Sequence, residues 1–185
     1  MTVQVTLNSD AIKTVKETFK GAPKEVAKAA SAAVNRTAIS LRKEASVTVR
    51  KHYVIAAGTV KKTFTIKRAN AKSISGAVLS KGTVLDLSKF RLRKPKRGPV
   101  KVQVRKDGGL KPVHGLFIHE GRKPMQRTSA AAYPLRVPQG PSVPQMFGNE
   151  ETLKELAPIA EETLNKRFLH EINYRFGKAL NNALR

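Results

Sequence analysis

The sequence predicts an α+β fold in which a long N-terminal helix and a long C-terminal helix pack on a central, mostly antiparallel β-sheet. Residues from Lys24 to about His52 contain no Gly or Pro and repeat small or apolar side chains every three to five residues. That spacing is typical of an amphipathic helix. The middle of the chain alternates apolar and polar residues, as half-buried strands do. From Leu156 onward, apolar residues recur at every fourth position, which indicates a second long helix.

The 185 residues suit a single domain with a helical appendage. We divide the chain into an α+β core over 1–137, a Pro-rich connector over 138–149 and a C-terminal helix over 150–185. The connector sequence PQGPSVPQMFGN holds three Pro and two Gly. We therefore expect an extended segment that lies on a surface or crosses to a partner.

The first part of the chain predicts a strand followed by two helices. Residues 2–7 alternate apolar and polar side chains, which predicts a short strand. A helix is expected from near Ala11 to Gly21, and Pro23 suits the first turn of the long helix that follows. The apolar stripe of the long helix is mostly Ala, so a neighbouring element can approach it closely.

The middle of the chain predicts a short helix from Gly58 and then a series of strands. We expect hairpin turns at Lys81–Gly82 and at Asp107-Gly108-Gly109. The segment FRLRKPKRGP over 90–99 holds five cations in seven residues, and its Pro and Gly residues exclude a helix or a central strand. We interpret it as a mobile basic loop. The predicted strands are Thr65–Arg68, Ser73–Ser80, Thr83–Leu87, Val100–Arg105 and Gly115–Glu120.

The C-terminal helix carries an unusual apolar row. Glu150 and Glu151 suit its N-terminal end, and Pro158 either kinks the helix or opens a second one. A row at every fourth residue drifts by about 40° per step around a helix, so it contacts more than one neighbour. Packing within the chain and contact between subunits are both open. The candidate assembly contacts are Met146, Phe147, Leu164, Phe168, Ile172, Phe176 and Leu180.

Charge is the strongest functional signal. The formal net charge is +23, and 25 Lys and Arg against 4 Asp and Glu lie between Arg36 and Arg136, a net +21. Self-repulsion on that scale favours a polyanionic partner, either nucleic acid or an acidic protein surface. Such cations bind a phosphate backbone without reading its sequence. The polyanion-facing candidates are Arg91, Arg93, Lys94, Lys96, Arg97, Lys61, Lys62, Lys67, Arg68, Arg42, Lys43, Arg50 and Lys51.

Several other classes of protein are disfavoured. The chain has no Cys, which excludes disulfides and thiolate metal sites. Aromatic residues make up only 5% and Trp is absent, which argues against a stacking platform for single strands. The start MTVQVTLNSD has no basic segment followed by an apolar one, so we expect no signal peptide. The apolar runs are too short for a membrane span. We therefore expect a soluble protein, made in a cytoplasm, that does not bind membranes.

No pattern for catalysis is present. Phosphate-binding Gly loops, G-x-S-x-G and H-E-x-x-H are absent from the sequence. His114 and His119, with Glu120 beside them, are the only crowded titratable cluster, but a spacing of five puts the two His on opposite faces of a strand. Metal ligands have to converge. We predict no catalytic residue, no metal site and no cofactor, and therefore not an enzyme.

The order of these pieces resembles the phage minor tail protein Z family. Asn35-Arg36-Thr37-Ala38 matches a small-residue element of its long helix, and Tyr53 matches the break that follows. Val60-Lys61-Lys62 and Leu87-Ser88-Lys89-Phe90 match its short helix and the end of its sheet. The connector residues 142–147 are similar to a proline-bearing element before its last helix. The resemblance covers nearly the whole chain.

The resemblance implies a virion component of a tailed phage or prophage, made in the host bacterial cytoplasm. Members are regarded as tail-completion proteins that act at the head-proximal end of the tail and help DNA enter or stay in its channel. The implied partners are phage tail and neck proteins and double-stranded DNA contacted without sequence specificity. Related neck proteins form rings, often of six subunits, so a homo-oligomeric ring is expected by analogy. The family implies no cofactor and no catalytic residue.

Two alternatives stay open at this point. One is a sequence-independent nucleic-acid-binding protein of ribosomal or chromosomal type that acts outside a virion. The other is a tail protein whose basic surface contacts an acidic tail-tube or connector protein, with DNA playing no part.

Overall fold

One long helix runs through the centre of the molecule. The computed structural model describes residues 1–6, 23–118 and 123–183. Helix α1 spans Pro23–His52, which confirms the helix predicted from Lys24 to about His52. Pro is well placed at the first helical position because its missing N–H has no partner there in any case. Basic residues in the last turn complement the negative end of the helix dipole.

The remaining elements are short, except for the last helix. The other helices are α2 (Ala57–Lys61), α3 (Val143–Phe147) and α4 (Glu150–Ala183). The strands are β1 (Thr2–Thr6), β2 (Phe64–Lys67), β3 (Ser75–Ser80), β4 (Leu85–Asp86), β5 (Arg91–Arg93), β6 (Lys101–Gln103), β7 (Lys111–Pro112), β8 (Leu116–Phe117), β9 (Met125–Arg127), β10 (Leu135–Arg136) and β11 (Gln139–Gly140). A 3-10 turn over Leu87–Lys89 joins β4 to β5.

The expected single central sheet is wrong, although the α+β class is right. The strands form separate small antiparallel sheets, in the orders β1-β3-β2, β5-β6-β7, β10-β9-β8 and β11-β4. Most strands are only two or three residues long, because Pro and Gly interrupt the middle of the chain. The turn at Lys81–Gly82 is not a hairpin, since β3 pairs with β1 and β2. The turn at Asp107-Gly108-Gly109 does connect two paired strands, β6 and β7.

Helix α1 lies against the β1-β3-β2 sheet on one side. A Cβ built on Gly76 of β3 would lie 2.8 Å from Cγ1 of Val34. Any larger residue at this position would have to displace the buried Val34, so glycine allows the close approach of helix and sheet. Val34, Ala38 and Val78 are fully buried in this contact.

Helix α4 runs antiparallel to α1 and packs mainly against it, not on a sheet as expected. Pro158 lies inside one continuous helix, so it does not open a second one. The apolar row contacts two clusters, as its drift predicts. Leu156 and Leu164 belong to the main core, whereas Phe168 and Ile172 pack with Val26 and the small residues of α1.

This packing accounts for most of the residues proposed as assembly contacts. Leu164, Phe168 and Ile172 are at most 8% exposed, and Phe176 is partly buried. The structure therefore favours the alternative in which the row packs within the chain. The side chain of Leu180 lies outside the described residues.

A buried carboxylate joins the two long helices. Glu171 of α4 is 2% exposed, and its Oε1 lies 3.0 Å from Nε of Arg36 on α1. The contact is an ion pair without a hydrogen bond at Oε1. Arg175 Nε lies 3.8 Å from Oε2 of the same carboxylate. A buried charge needs such partners, because leaving it unpaired costs several kcal/mol, about 3–5.

Asn35 attaches α1 to the chain that follows β2. Its Nδ2 donates to the carbonyl of Ala69 at 2.9 Å, and its Oδ1 accepts from the amide of Ala69 at 2.8 Å. The side-chain amide thus satisfies both backbone groups of a buried residue, as a neighbouring strand would. This contact gives Asn35, in the Asn-Arg-Thr-Ala element, a structural purpose.

Tyr53 connects the end of α1 to two distant segments. It forms a β-bridge with Arg105, whose guanidinium lies 5.7 Å from the Tyr53 ring centroid. Asn149, just before α4, donates from Nδ2 to Tyr53 Oη at 3.1 Å. The chain break after α1 is therefore fixed by the β6 segment and by the start of α4.

The connector over 138–149 is not an extended surface segment as expected. Residues 139–140 pair with β4, and α3 follows, begun by a capping box between Ser142 and Gln145. Met146 and Phe147 are fully buried, and the Phe147 ring stands edge-on to Phe64 with centroids 5.0 Å apart. As assembly contacts these two residues are inaccessible in the folded chain. The domain boundaries at 137 and 149 stay a prediction.

Some predictions fall outside the described residues. These are the helix from Ala11 to Gly21, the end of the strand Gly115–Glu120, and His119 with Glu120. Among the described residues, no helix combines the length and the hydropathy that a membrane-spanning segment requires.

We expect Ala30→Leu to destabilise the contact between α1 and α4. Ala30 is fully buried with Phe168 and Ile172, so a larger side chain has to displace them, at a cost of about 1–3 kcal/mol in the free energy of unfolding. Urea denaturation measures the change. Ala157→Leu at an exposed position of α4 is the matched control, and equal losses in both variants would contradict the close packing.

We expect Asn35→Ala to lower the free energy of unfolding by about 2 kcal/mol, because two hydrogen bonds disappear and Ala69 is left with unpaired backbone groups. The amide of Ala69 should also exchange its hydrogen faster with solvent. Asn165→Ala on the exposed side of α4 should change neither measurement. Unchanged exchange at Ala69 in Asn35→Ala would show that the bridge does not form.

Candidate polyanion interface

The β5-β6-β7 sheet separates apolar and cationic side chains onto its two faces. Leu92 pairs with Val102, and Val102 is buried, so this face packs on the core. The neighbouring positions Arg91, Arg93 and Lys101 point to the other face, because side chains alternate along a strand. All three are exposed. We call these three residues the sheet-face cations.

Two of the sheet-face cations oppose each other directly. Arg93 is paired in register with Lys101, which places their Cβ atoms about 4.5–5.5 Å apart. Like charges in that arrangement destabilise an antiparallel pair. No carboxylate of the described residues lies within 4.0 Å of Arg91, Arg93 or Lys101. The face therefore carries charge that the described part of the chain does not compensate.

The basic segment 90–99 is only partly the loop that was expected. Its first cations form β5, and β5 begins next to Phe90, which is buried. Phe90 packs so tightly against Gly140 that a Cβ there would lie 2.6 Å from its ring. The cations after β5 follow in an irregular segment that contains Gly98 at φ 95°. In this segment Lys94 donates to the carbonyl of Ile118 at 3.4 Å.

A second group of cations lies where α1 meets α2. Arg42 and Lys43 on α1 and Lys61 at the end of α2 line one cleft, and Lys62 is exposed next to it in sequence. Arg50 is exposed further along α1. The sequence gives no direct signal for this convergence, since α2 follows α1 only after the break at Tyr53.

Lys51 differs from the other candidates because it is paired within the chain. Its Nζ lies 3.0 Å from both carboxylate oxygens of Glu155. This hydrogen bond lowers the pKa of Glu155 below its usual value. His52 Nε2 also lies 3.1 Å from Oε1 of Glu155. Lys51 thus helps to hold the end of α1 against α4.

Lys67 and Arg68 form a third group at the end of β2, where both are exposed. All thirteen candidate cations are exposed. Within the described ranges, Lys51 is the candidate with a carboxylate partner. Strand β2 also contributes Phe64 to the wall of the cleft between α1 and α2. The candidate cations thus lie on three parts of the fold, which are the β5-β6-β7 sheet with the segment after β5, the α1–α2 region and the end of β2.

Several cations of the basic region are used to hold the fold together. Arg105 is paired with Asp107 at 2.7 Å and with Glu151 at 2.8 Å, and these hydrogen bonds raise its pKa. Lys123 lies 2.6 Å from Asp86 and lowers the pKa of that carboxyl group. The interface therefore contains fewer cations than the sequence count implies.

Sequence reasoning missed one residue of the interface. Lys101 was not among the candidate cations, although the strand Val100–Arg105 that contains it was predicted. The alternation Lys101, Val102, Gln103 was the signal that could have found it. Its pairing with Arg93 depends on strand register, which the sequence does not specify.

The described residues contain no cluster of three or more potential metal ligands of the His, Cys, Asp or Glu type. His114 is exposed, and its predicted neighbour His119 is not described. What the interface offers chemically is a set of exposed guanidinium and ammonium groups that can bind phosphate or carboxylate oxygens.

Comparison with known proteins identifies the family. The model of the family described as prophage minor tail protein Z matches residues 8–182, which include α1, every strand from β2 to β11 and nearly all of α4. No curated protein and no solved structure matches the chain. The match extends over far more than the motifs that carried the initial resemblance, and it indicates a structural role in a phage tail, which suggests that the protein is not an enzyme. The chain therefore belongs to the prophage minor tail protein Z family.

Proposed function

We propose that this minor tail protein completes the head-proximal end of the tail as a homo-oligomeric ring, of six subunits by analogy with related neck proteins, and turns its basic surface toward double-stranded DNA. Family membership supports the tail location and tail-protein partners. The ring, the position at the neck and the contact with DNA are the proposal.

The observation that carries the proposal is the pairing of Arg93 with Lys101. Two exposed cations held opposite each other repel in the free chain, and a bound polyanion turns that repulsion into attraction. The remaining sheet-face cation, Arg91, stands two residues from Arg93 on the same face. A phosphate backbone, with its regular negative charges, matches such a surface.

Duplex DNA fits this surface better than single-stranded nucleic acid. Single-strand binding uses exposed aromatic side chains as stacking platforms. The strongly exposed aromatic residues of the described ranges are Tyr133 and Tyr174, and neither lies on the β5-β6-β7 sheet. Contact through phosphates alone supports sequence-independent binding, which suits a protein that contacts whichever stretch of DNA reaches the tail.

Assembly requires a surface other than the buried row of α4. Among the side chains of this helix that the structure describes, the large apolar ones that are exposed are Ile159, Leu169 and Tyr174, with Leu169 and Tyr174 63% and 59% exposed. On a helix of 3.6 residues per turn these three fall within one side. We propose that this side of α4 supplies the contact between subunits in place of the residues that the fold buries.

We expect the triple variant Arg91→Ala, Arg93→Ala, Lys101→Ala to bind duplex DNA with a weaker salt dependence. The slope of log affinity against log salt should fall by about 2.7, because each phosphate that the protein no longer neutralises reduces it by about 0.9. Fluorescence anisotropy with a mixed-sequence duplex at several NaCl concentrations measures the slope.

A control triple removes the same charge from cations that are already paired along their helices. Lys28, Lys154 and Lys166 each contact a Glu three or four residues away, and changing all three to Ala should leave the slope unchanged. An unchanged slope in the sheet-face triple would contradict DNA contact at this sheet. Binding of the wild type to an acidic tail protein would then favour the protein-facing alternative.

We expect the wild-type protein to form a discrete oligomer that Leu169→Ser weakens. An exposed Leu in a subunit contact contributes about 1.5–3 kcal/mol when buried, so its removal should shift the equilibrium toward monomer. Light scattering coupled to size exclusion measures the mass, with Asn165→Ser as the control on the same helix. A wild-type monomer at high concentration, together with absence from purified tails, would overturn the ring.

A further inference from the structure

A cleft between α1 and α2 has a chemistry that the sheet face lacks. Its volume is about 420 Å³, which is within the range of ligand-binding clefts, about 300–1,000 Å³. It combines cations, hydroxyl groups and apolar side chains. The residues that line it are Ile39, Ser40, Arg42, Lys43, Ser46, Lys61 and Phe64.

The charge of the cleft is uncompensated by the described part of the chain. Arg42, Lys43 and Lys61 are exposed, and none of them has a carboxylate of the described residues within 4.0 Å. Glu44 follows Lys43 in sequence and lines an adjoining cleft that shares Ser40 with this one and also contains Lys166 of α4. Three cations around one concave surface raise the local concentration of an anion.

Ser46 adds a hydroxyl group to the residues around the cleft. The residue is 3% exposed and forms part of the cleft wall. An oxygen-bearing anion in the cleft would accept a hydrogen bond from this hydroxyl.

Part of the cleft wall is apolar, which indicates that the ligand is more than a free ion. Ile39 is 48% exposed, although it is a large apolar side chain on the surface of α1. Phe64 is held in place by its edge-on contact with Phe147. A ligand that places an anionic group at the cations and a carbon framework against Ile39 and Phe64 fits both sides.

We propose that this cleft binds one phosphate–sugar unit of a nucleic-acid backbone. The phosphate oxygens accept hydrogen bonds from Arg42, Lys43, Lys61 and the Ser46 hydroxyl, and the attached sugar packs on Ile39 and Phe64. The inference rests on the proposed DNA contact but concerns a different place in the fold. The cleft would hold one backbone unit at a fixed position, whereas the sheet-face cations attract the backbone over an open surface.

The first test measures where a minimal phosphodiester binds. In a titration of the full chain with thymidylyl-thymidine, the backbone amide NMR signals of Ser46, Lys61 and Phe64 should shift, and thymidine without phosphate should shift them far less. Ser46→Ala should weaken the phosphodiester shifts at Lys61 by roughly tenfold in apparent affinity. Ser31→Ala, whose hydroxyl bonds to a carbonyl of α1 outside the cleft, should not.

The second test uses duplex DNA and two adjacent lysines. Lys61→Gln should lower duplex affinity several-fold and reduce the salt slope by about 0.9, whereas Lys62→Gln, which removes the same charge beside the cleft, should do clearly less. Equal effects of the two changes, or no shift at Ser46 with the phosphodiester, would overturn the cleft site. Stronger shifts with a poly-glutamate peptide would overturn it in favour of an acidic protein segment.

The outcomes also separate this site from the proposed function. A reduced salt slope in the sheet-face triple with no response of the cleft would keep the DNA contact and overturn the cleft. Cleft shifts and a Lys61 effect with an unchanged slope in the sheet-face triple would overturn the sheet face and keep the cleft as a nucleic-acid site.

Discussion

The close packing of α1 is the constraint on which the rest of the structure depends. One side of the helix approaches the sheet until Val34 leaves no room for a side chain at Gly76. Another side receives Phe168 and Ile172 of α4 against its small residues. Interiors packed this tightly transmit any change of volume to their neighbours. Because α1 is held on both sides, the positions of Arg42 and Lys43 on its remaining, exposed side are fixed as well.

Several of the few carboxylates of this basic chain form ion pairs that connect one secondary-structure element to another. Glu171 and Glu155 pair with cations of α1 and hold α4 alongside it. Glu151 reaches Arg105 at the end of the β6 segment, and Asp86 reaches Lys123. Acidic groups employed in this way are not available to neutralise the sheet face or the α1–α2 cleft. The segregation of charge along the sequence therefore becomes, in the fold, a separation between cations that join elements and cations that remain free of partners among the described residues.

The parts of this fold that the sequence could predict are those whose signals are local. The long helix was predictable because small and apolar residues recur from Lys24 to His52 without Gly or Pro. The row at every fourth residue of α4 correctly indicated two neighbours. The small sheets could not be predicted, because strands of two or three residues show little alternation of apolar and polar residues and their pairing partners are distant in sequence. The prediction for the connector was wrong because its Pro residues suggested an extended chain. Ser142 and Gln145 have the spacing of a capping box, which indicates the start of a helix, here α3. The α1–α2 cleft depends on the direction that the chain takes after Tyr53, and no local sequence pattern indicates that direction.

Under the proposed function, the free chain and the assembled tail place opposite demands on the same cations. Arg93 opposite Lys101, and the three cations around Ser46, raise the free energy of the isolated chain, although exposure to solvent limits the repulsion at each site. The packing of α1 and the ion pairs made by the carboxylates between elements stabilise the fold against this repulsion between cations. A polyanion that binds only the folded chain stabilises it by mass action and removes the repulsion at the same time. The repulsion between cations that destabilises the isolated subunit thus favours its binding to DNA.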